Sequence, residues 1–428
     1  MIFGRKLCRK KVIYTKKGTL IKLYEEKLPF KHLNRKSVKV LKYLCKTMLE
    51  VLPEVVDELG FSPILLVDIR YQLKNSKGRK VFEQLLNNIT SDSPFSKPIT
   101  EDEKREFMHD VVHTAKAESL GHVVLYLDNI ALSILVERSM RGIPPEELLK
   151  KELARTLAHE FAHFRQENVT LLKYRLNSYI NRVNLAVSKA ISKLEAKNKE
   201  EIAKIIGIRN PKGIVALLIE SYKLYRVALH RFLIDLLTEG YPTYIEKTIK
   251  GNQLNLHQLK RENRELVSRF SSQLREAEAV LDERELRFYS DMAKREKLKQ
   301  AMQIEQKVFS KGVVGKSIEN LHKIVLNRLE NTLLKSRKAY EIGAHIVGVY
   351  IYCHLKKGEE LEDIYSQIED VTKYMKIIKD YVKCAESLGL KPLVSITSGK
   401  GIFDYKRAVE NCTKYGKIVK GIIENVLL

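Results

Sequence analysis

A chain of 428 residues can bury a substantial core and divide into two or three units. No apolar run approaches the about 18 residues that would cross a bilayer, and Met1 to Lys11 lacks the apolar segment of a secretory signal. These features give the expectation of a soluble, cytoplasmic protein with no membrane partner. Five cysteines at 8, 45, 353, 384 and 412, odd in number and widely spaced, argue against a disulfide framework and against a thiolate zinc site.

The net charge is +24, and residues 1–47 hold fifteen Lys or Arg against Glu25 and Glu26. Such a start fits a nucleic-acid or acidic-partner surface, or a solvated Lys/Glu-rich surface of the thermophile kind. No helix-turn-helix, zinc-finger or RNA-recognition signature accompanies the charge, which favours the solvated surface.

Residues 1–33 read as a basic N-terminal arm or short hairpin, punctuated at Lys16-Lys17-Gly18 and Leu28-Pro29. From Asn34 or Ser37 a helix runs to Leu59, with Val40, Leu41, Leu44, Met48, Leu49 and Leu52 on one side. Pro53 predicts a kink or a break within it. After Gly60 to Pro63, Ile64 to Ile69 reads as a buried strand, 72–100 as polar surface, and His122 to Leu127 as a second strand. Residues 130–141 read as helix. Pro144-Pro145 and the acidic Glu146-Glu147 suit the first turn of the next one.

That helix carries the motif around which the chain is organised, His159-Glu160-Phe161-Ala162-His163. Leu153, Ala154, Leu157, Ala158, Phe161 and Ala162 recur at helical spacing. His159 and His163, four apart, stack on one helix face, where two imidazoles grip one zinc ion with Glu160 beside them as general base. Two histidines and a glutamate in an apolar segment need satisfaction, and a metal supplies it. A second pair, His109 and His113, lies in a polar stretch and reads as surface; His122 reads as a strand-end residue.

The chain stays helical from Gln166 to about Ile206, then loops through 207–213 and resumes as a long helix from Ile214 to Thr238. Glu239 is the choice for a third ligand, with Glu220 and His230 as alternatives. Read by itself, Glu239-Gly240 is equally a helix C-terminus capped by glycine.

The pattern His159-Glu160-x-x-His163 followed by Glu239-Gly240-x-x-x-Tyr244 resembles the gluzincin metallopeptidases. It looks closest to the compact archaeal members called minigluzincins, enlarged by extra helices. The resemblance covers about residues 120–250. It implies zinc held by His159, His163 and Glu239, with Glu160 as base. Tyr244, Tyr241 and His230 are candidate donors to the oxyanion. The sequence departs from the family at Pro242, where a small residue is common, and at Thr243, where some members carry an Asp that orients the histidines; that orientation falls to another group such as Asp235 or a backbone carbonyl. The long gap between His163 and Glu239 implies a helical insertion. A Tyr-x-x-Gly pattern at Tyr340 to Gly343 resembles a helix that packs behind the site in several members, and reads equally as a buried helix with small residues.

Residues 251–335 read as an inserted helical hairpin, with Leu266, Phe270, Leu274, Ala277 and Leu281 as its apolar stripe, and 336–428 as a C-terminal helical region. Ser398-Gly399-Lys400-Gly401 lacks the spacing of a phosphate-binding loop. The expectation is an α+β, predominantly α-helical chain whose zincin-like core spans 34–250, a small sheet packed on the motif helix. The expected function is a zinc-dependent peptidase, an endopeptidase acting on peptide or protein substrates; the added helices also admit a latent form. The alternatives are a nucleic-acid-associated protein with a zinc site, and a helical scaffold with a vestigial one.

Overall fold

The computed structural model describes residues 7–8, 11–27, 35–61, 64–71, 115–118, 122–137, 146–166, 229–249, 254–279, 338–397, 399–411 and 413, with 169, 172 and 178. His109, His113, Glu220, Leu281 and the returning half of the 251–335 hairpin lie outside them. The chain forms two compact units, residues 1–165 with 242–253, and 166–241 with 254–428.

In the first unit, β1 (Val12–Tyr14), β2 (Leu20–Glu25), β3 (Ile64–Arg70), β4 (Ala115–Glu118) and β5 (His122–Tyr126) form one sheet in the order β1-β2-β3-β5-β4. β2, β3 and β5 are parallel, and the two edge strands run antiparallel to their neighbours. The basic N-terminal segment is therefore the hairpin edge of this sheet. Alternation sends Ile13, Ile21, Leu23, Leu65, Val67, Ile69, Val123 and Leu125 into the core.

Two interactions pin the hairpin. The buried carboxylate of Glu25 accepts the N–H of Leu7, the N–H of Cys8 (3.0 Å) and the hydroxyl of Tyr71 (2.8 Å). Burial and the Glu25 charge push the Tyr71 phenol well above its ordinary pKa. At the turn, Asp57 accepts the N–H groups of Lys16 and Lys17. Burial works to raise the Asp57 pKa, but hydrogen bonds from Thr15, Lys17 and Lys16 outweigh it and hold the carboxyl below its ordinary range.

Helix α1 (Arg35–Leu59) runs through Pro53 without the break that is one of the two outcomes, kink or break, expected from sequence. Both Pro53 and Leu49, the residue four back whose carbonyl loses its donor, are half-buried rather than sealed in the core, so water can take the missing N–H's place. A helix α2 (Leu127–Glu137) follows β5 directly, so the strand ends one residue earlier and the helix starts three residues earlier than the hydrophobic pattern predicts. Helix α3 (Glu146–Arg165) carries the His-Glu-x-x-His motif, and all six apolar positions named for it are buried. It packs chiefly on α1, and touches α2 and β4. Phe61, just past α1, meets Phe161 edge-on at 5.5 Å. The Arg165 guanidinium donates to the Leu59 carbonyl at the end of α1. The helix stops there, and Gln166 is no longer helical.

The second unit contains helical residues 229–238 (α4) and α6 (Leu256–Ala279), α7 (Lys338–Lys356), α8 (Leu361–Glu369) and α9 (Tyr374–Ser387), with a two-stranded parallel sheet of β6 (Val394–Ser395) and β7 (Phe403–Asp404). A helix α5 (Gly240–Thr248) continues α4 and leads the chain from this unit back to the first. Leu266, Phe270, Leu274 and Ala277 are buried as their spacing predicts, and α6 packs on α7 and β7 as part of this unit's core. The amides of Gly399 and Gly401 both donate to Asp404 (2.7 and 2.9 Å), so that loop's donors serve a buried carboxylate.

The cysteines contradict the sequence expectation. Cys8 is bonded to Cys45 (Cα–Cα 5.6 Å) and Cys353 to Cys384 (5.9 Å). The partners are 37 and 31 residues apart, and spacing that long carries no connectivity signal. Among the described residues no helix is long and apolar enough to cross a membrane.

Two glycines of the second unit bring backbone against backbone. A Cβ on Gly240 would fall 2.3 Å from the Gly343 carbonyl carbon, and one on Gly343 only 2.0 Å from the Leu236 oxygen. Backbone meets backbone, and nothing flexible can yield. Gly343→Ala should destabilise the protein by about 1–3 kcal/mol or more, read as a lowered Tm. For Asp57→Asn the pH dependence is the test. A carboxyl whose folded pKa is depressed contributes stability that is present above about pH 4 and is lost as pH falls through its lowered folded value. The variant should therefore be less stable than wild type near neutrality, and the gap should close in strong acid.

Candidate metal centre

Among the described residues one group could hold a metal ion: His159, His163 and Glu239, each offering an atom within 4.8 Å of the others. All three, and Glu160, are half-buried. The two imidazoles come from successive turns of α3, with ring centroids 4.9 Å apart and planes at 77°.

Glu239 is the turn residue between α4 and α5, and its N–H donates to the Asp235 carbonyl (3.0 Å). Its neighbours are held on three sides. Gly240 lies against Gly343 of α7. The Tyr241 hydroxyl donates to Glu369 (2.7 Å). The Leu237 carbonyl accepts from the amide of Gln166 (3.0 Å), the residue after the motif helix.

The donor set fits zinc. Two imidazole nitrogens and a carboxylate oxygen are a three-ligand set of the kind that leaves one position open. The surroundings of His159 fit as well: its Nδ1 lies 3.3 Å from Glu246 Oε2, a contact of ion-pair range rather than an aligned hydrogen bond. With Nδ1 facing a carboxylate, Nε2 is the atom left for a metal. Glu246 lies on α5, seven residues after Glu239.

Glu246 is the residue that sequence reasoning misses. Its place on α5 is readable only once that helix is known to continue past Pro242. Of the groups named beforehand for this role, Asp235 pairs with Arg231 (3.6 Å).

The other candidates fall elsewhere. Both ring nitrogens of His230 are taken, Nδ1 by the Tyr374 hydroxyl (2.8 Å) and Nε2 by the Tyr405 hydroxyl (2.6 Å), which removes it as a ligand. Tyr244, the oxyanion-donor candidate, lies on α5 and is 3% exposed. His122 opens β5, at the strand end expected of it.

No protein-family model, curated protein or solved structure matches the chain. The centre is therefore argued from its own geometry.

Because Glu246 touches a ligand, its loss should weaken metal binding without abolishing it. Glu246→Ala should lower zinc affinity by about 10- to 100-fold, measured by competition with a chromogenic chelator. Glu246→Gln, which keeps an acceptor, should fall between that variant and wild type.

Proposed function

We propose that the protein is a zinc-dependent peptidase with a zincin-like core of the gluzincin kind, acting on an internal bond of an extended peptide. The observation that carries this reading is the convergence of His159, His163 and Glu239 from two segments 76 residues apart, with Glu160 next to the first histidine on the same helix. Half-burial of all four side chains supports a reacting centre over a sealed structural one.

A zinc ion held by these three residues supplies Lewis-acid polarisation of a peptide carbonyl and makes water more acidic. The rest of the chemistry belongs to the chain. The Glu160 carboxylate takes a proton from the attacking water as its oxygen bonds to the carbonyl carbon. It then passes that proton to the amine nitrogen as the C–N bond breaks. His159 and His163 would offer ring nitrogens to the ion, and the Glu246 carboxylate faces the Nδ1 edge of His159 at 3.3 Å, which leaves Nε2 for the metal.

The sheet supports an extended substrate. β4 is an edge strand, antiparallel to β5, and it touches the motif helix. An edge strand that touches the motif helix has backbone donors and acceptors to offer a passing peptide, which favours internal cleavage over trimming of ends.

The test separates binding from chemistry. Glu160→Gln should retain stoichiometric zinc while cleavage of a quenched fluorescent peptide library falls by about 100-fold or more. Equal cleavage by the variant and the wild-type protein would remove Glu160 from the mechanism.

A further inference from the structure

The outer face of the sheet carries aromatic and basic side chains that the core does not use. Along β1 and β2, Ile13, Ile21 and Leu23 point inward, so Val12, Tyr14, Leu20, Lys22 and Tyr24 point out. Val12 pairs with Lys22 and Tyr14 with Leu20; Leu20, Lys22 and Tyr24 pair in turn with Ile64, Leu66 and Asp68. All of these side chains share one face. Tyr14 is 71% exposed, Tyr24 58%, Ile64 54% and Val12 44%. Scattered exposed apolar residues are ordinary, whereas four on adjoining strands make a patch that asks for a partner.

The charge around the patch selects the partner. Lys22 lies between the two rings, diagonal to Tyr14 and two residues before Tyr24. Lys11, Lys16 and Lys27 are exposed in the segments flanking β1 and β2, while the Lys17 ammonium donates to the Asp57 carbonyl of α1 (2.9 Å). On β1, β2 and β3 the face has one acid, Asp68, and the Arg70 guanidinium holds it at 2.8 Å; Glu26 stands at the end of β2, and Glu118 lies two strands away on β4. Asp57 fixes the turn through the Lys16 and Lys17 amides, and the Cys8–Cys45 bond ties the segment before β1 to α1, so the platform is rigid before anything binds. A second copy of a chain carrying +24 would bring like charge to this face, while a polyanion brings the opposite.

We infer that this face binds single-stranded nucleic acid, with bases stacked on Tyr14 and Tyr24 and the phosphates between them held by Lys22 and the surrounding lysines. Exposed rings set among cations form the sequence-tolerant platform that such strands use. The surface is independent of the metal centre and stands whether or not the protein hydrolyses peptides.

The experiment is fluorescence anisotropy of the full chain with a labelled oligothymidylate of about twenty nucleotides and an RNA of equal length, from about 50 to 200 mM salt. The wild type should bind at low salt and weaken steeply as salt rises. Tyr14→Ala with Tyr24→Ala should weaken binding about tenfold or more, and Tyr14→Phe with Tyr24→Phe should stay close to wild type, because stacking needs the ring and not the hydroxyl. Lys22→Ala should reduce the salt slope by about one. Both tyrosines are exposed, so unchanged circular dichroism will show that the alanine variant is folded. No binding at the lowest salt overturns the inference, as does equal binding by the double alanine variant. It is also overturned by a preference for anionic vesicles over both oligonucleotides, or by a dimer in sedimentation that the alanine changes dissolve.

Discussion

The closest constraint on the candidate centre is a contact between two glycines. Gly240 and Gly343 bring the backbones of α4–α5 and α7 to a separation that no side chain permits. Glu239 immediately precedes Gly240, so the position of the one carboxylate in the ligand group is set by backbone packing rather than by a flexible loop. The Tyr241–Glu369 hydrogen bond and the Gln166 amide on Leu237 act on the same few residues. A ligand group needs its members held within a fraction of an ångström, and support from rigid elements provides that. The Cys353–Cys384 bond joins α7 to α9 and so braces the helix that presents Gly343.

The histidine side of the group is held differently. α3 is anchored by its apolar stripe against α1, by Phe61 on Phe161, and by Arg165 on the last turn of α1. Its two histidines need no loop to meet, because helical spacing stacks them. What the helix cannot supply is ring orientation, and there Glu246 acts.

Much of this was legible from residue types alone. The motif helix, its buried stripe and the stacking of His159 with His163 follow from spacing, whereas Glu239 is singled out by the resemblance that Glu239-Gly240-x-x-x-Tyr244 carries, and by itself reads as a helix end. The failures are all non-local. β4 is Ala-Lys-Ala-Glu, a sequence with no strand signal of its own, and it is a strand because β5 pairs with it. His230 looked free as a ligand until Tyr374 and Tyr405, 144 and 175 residues further on, took both its nitrogens. The cysteine pairs join residues with no local relation. Pro53 stays helical because its lost hydrogen bond lies where water reaches. The basic start read as a solvated surface because charge was visible in the sequence, while the exposure of Tyr14 and Tyr24 on the same sheet face was not.

The central claim is that His159, His163 and Glu239 hold one metal ion. The most direct test is zinc stoichiometry of the purified protein by elemental analysis, with Glu239→Ala and His230→Ala alongside. The account predicts about one zinc per chain in the wild type, lost in Glu239→Ala and retained in His230→Ala. A wild-type protein that takes up no zinc after reconstitution, or a Glu239→Ala variant that keeps it with unchanged affinity, would contradict it.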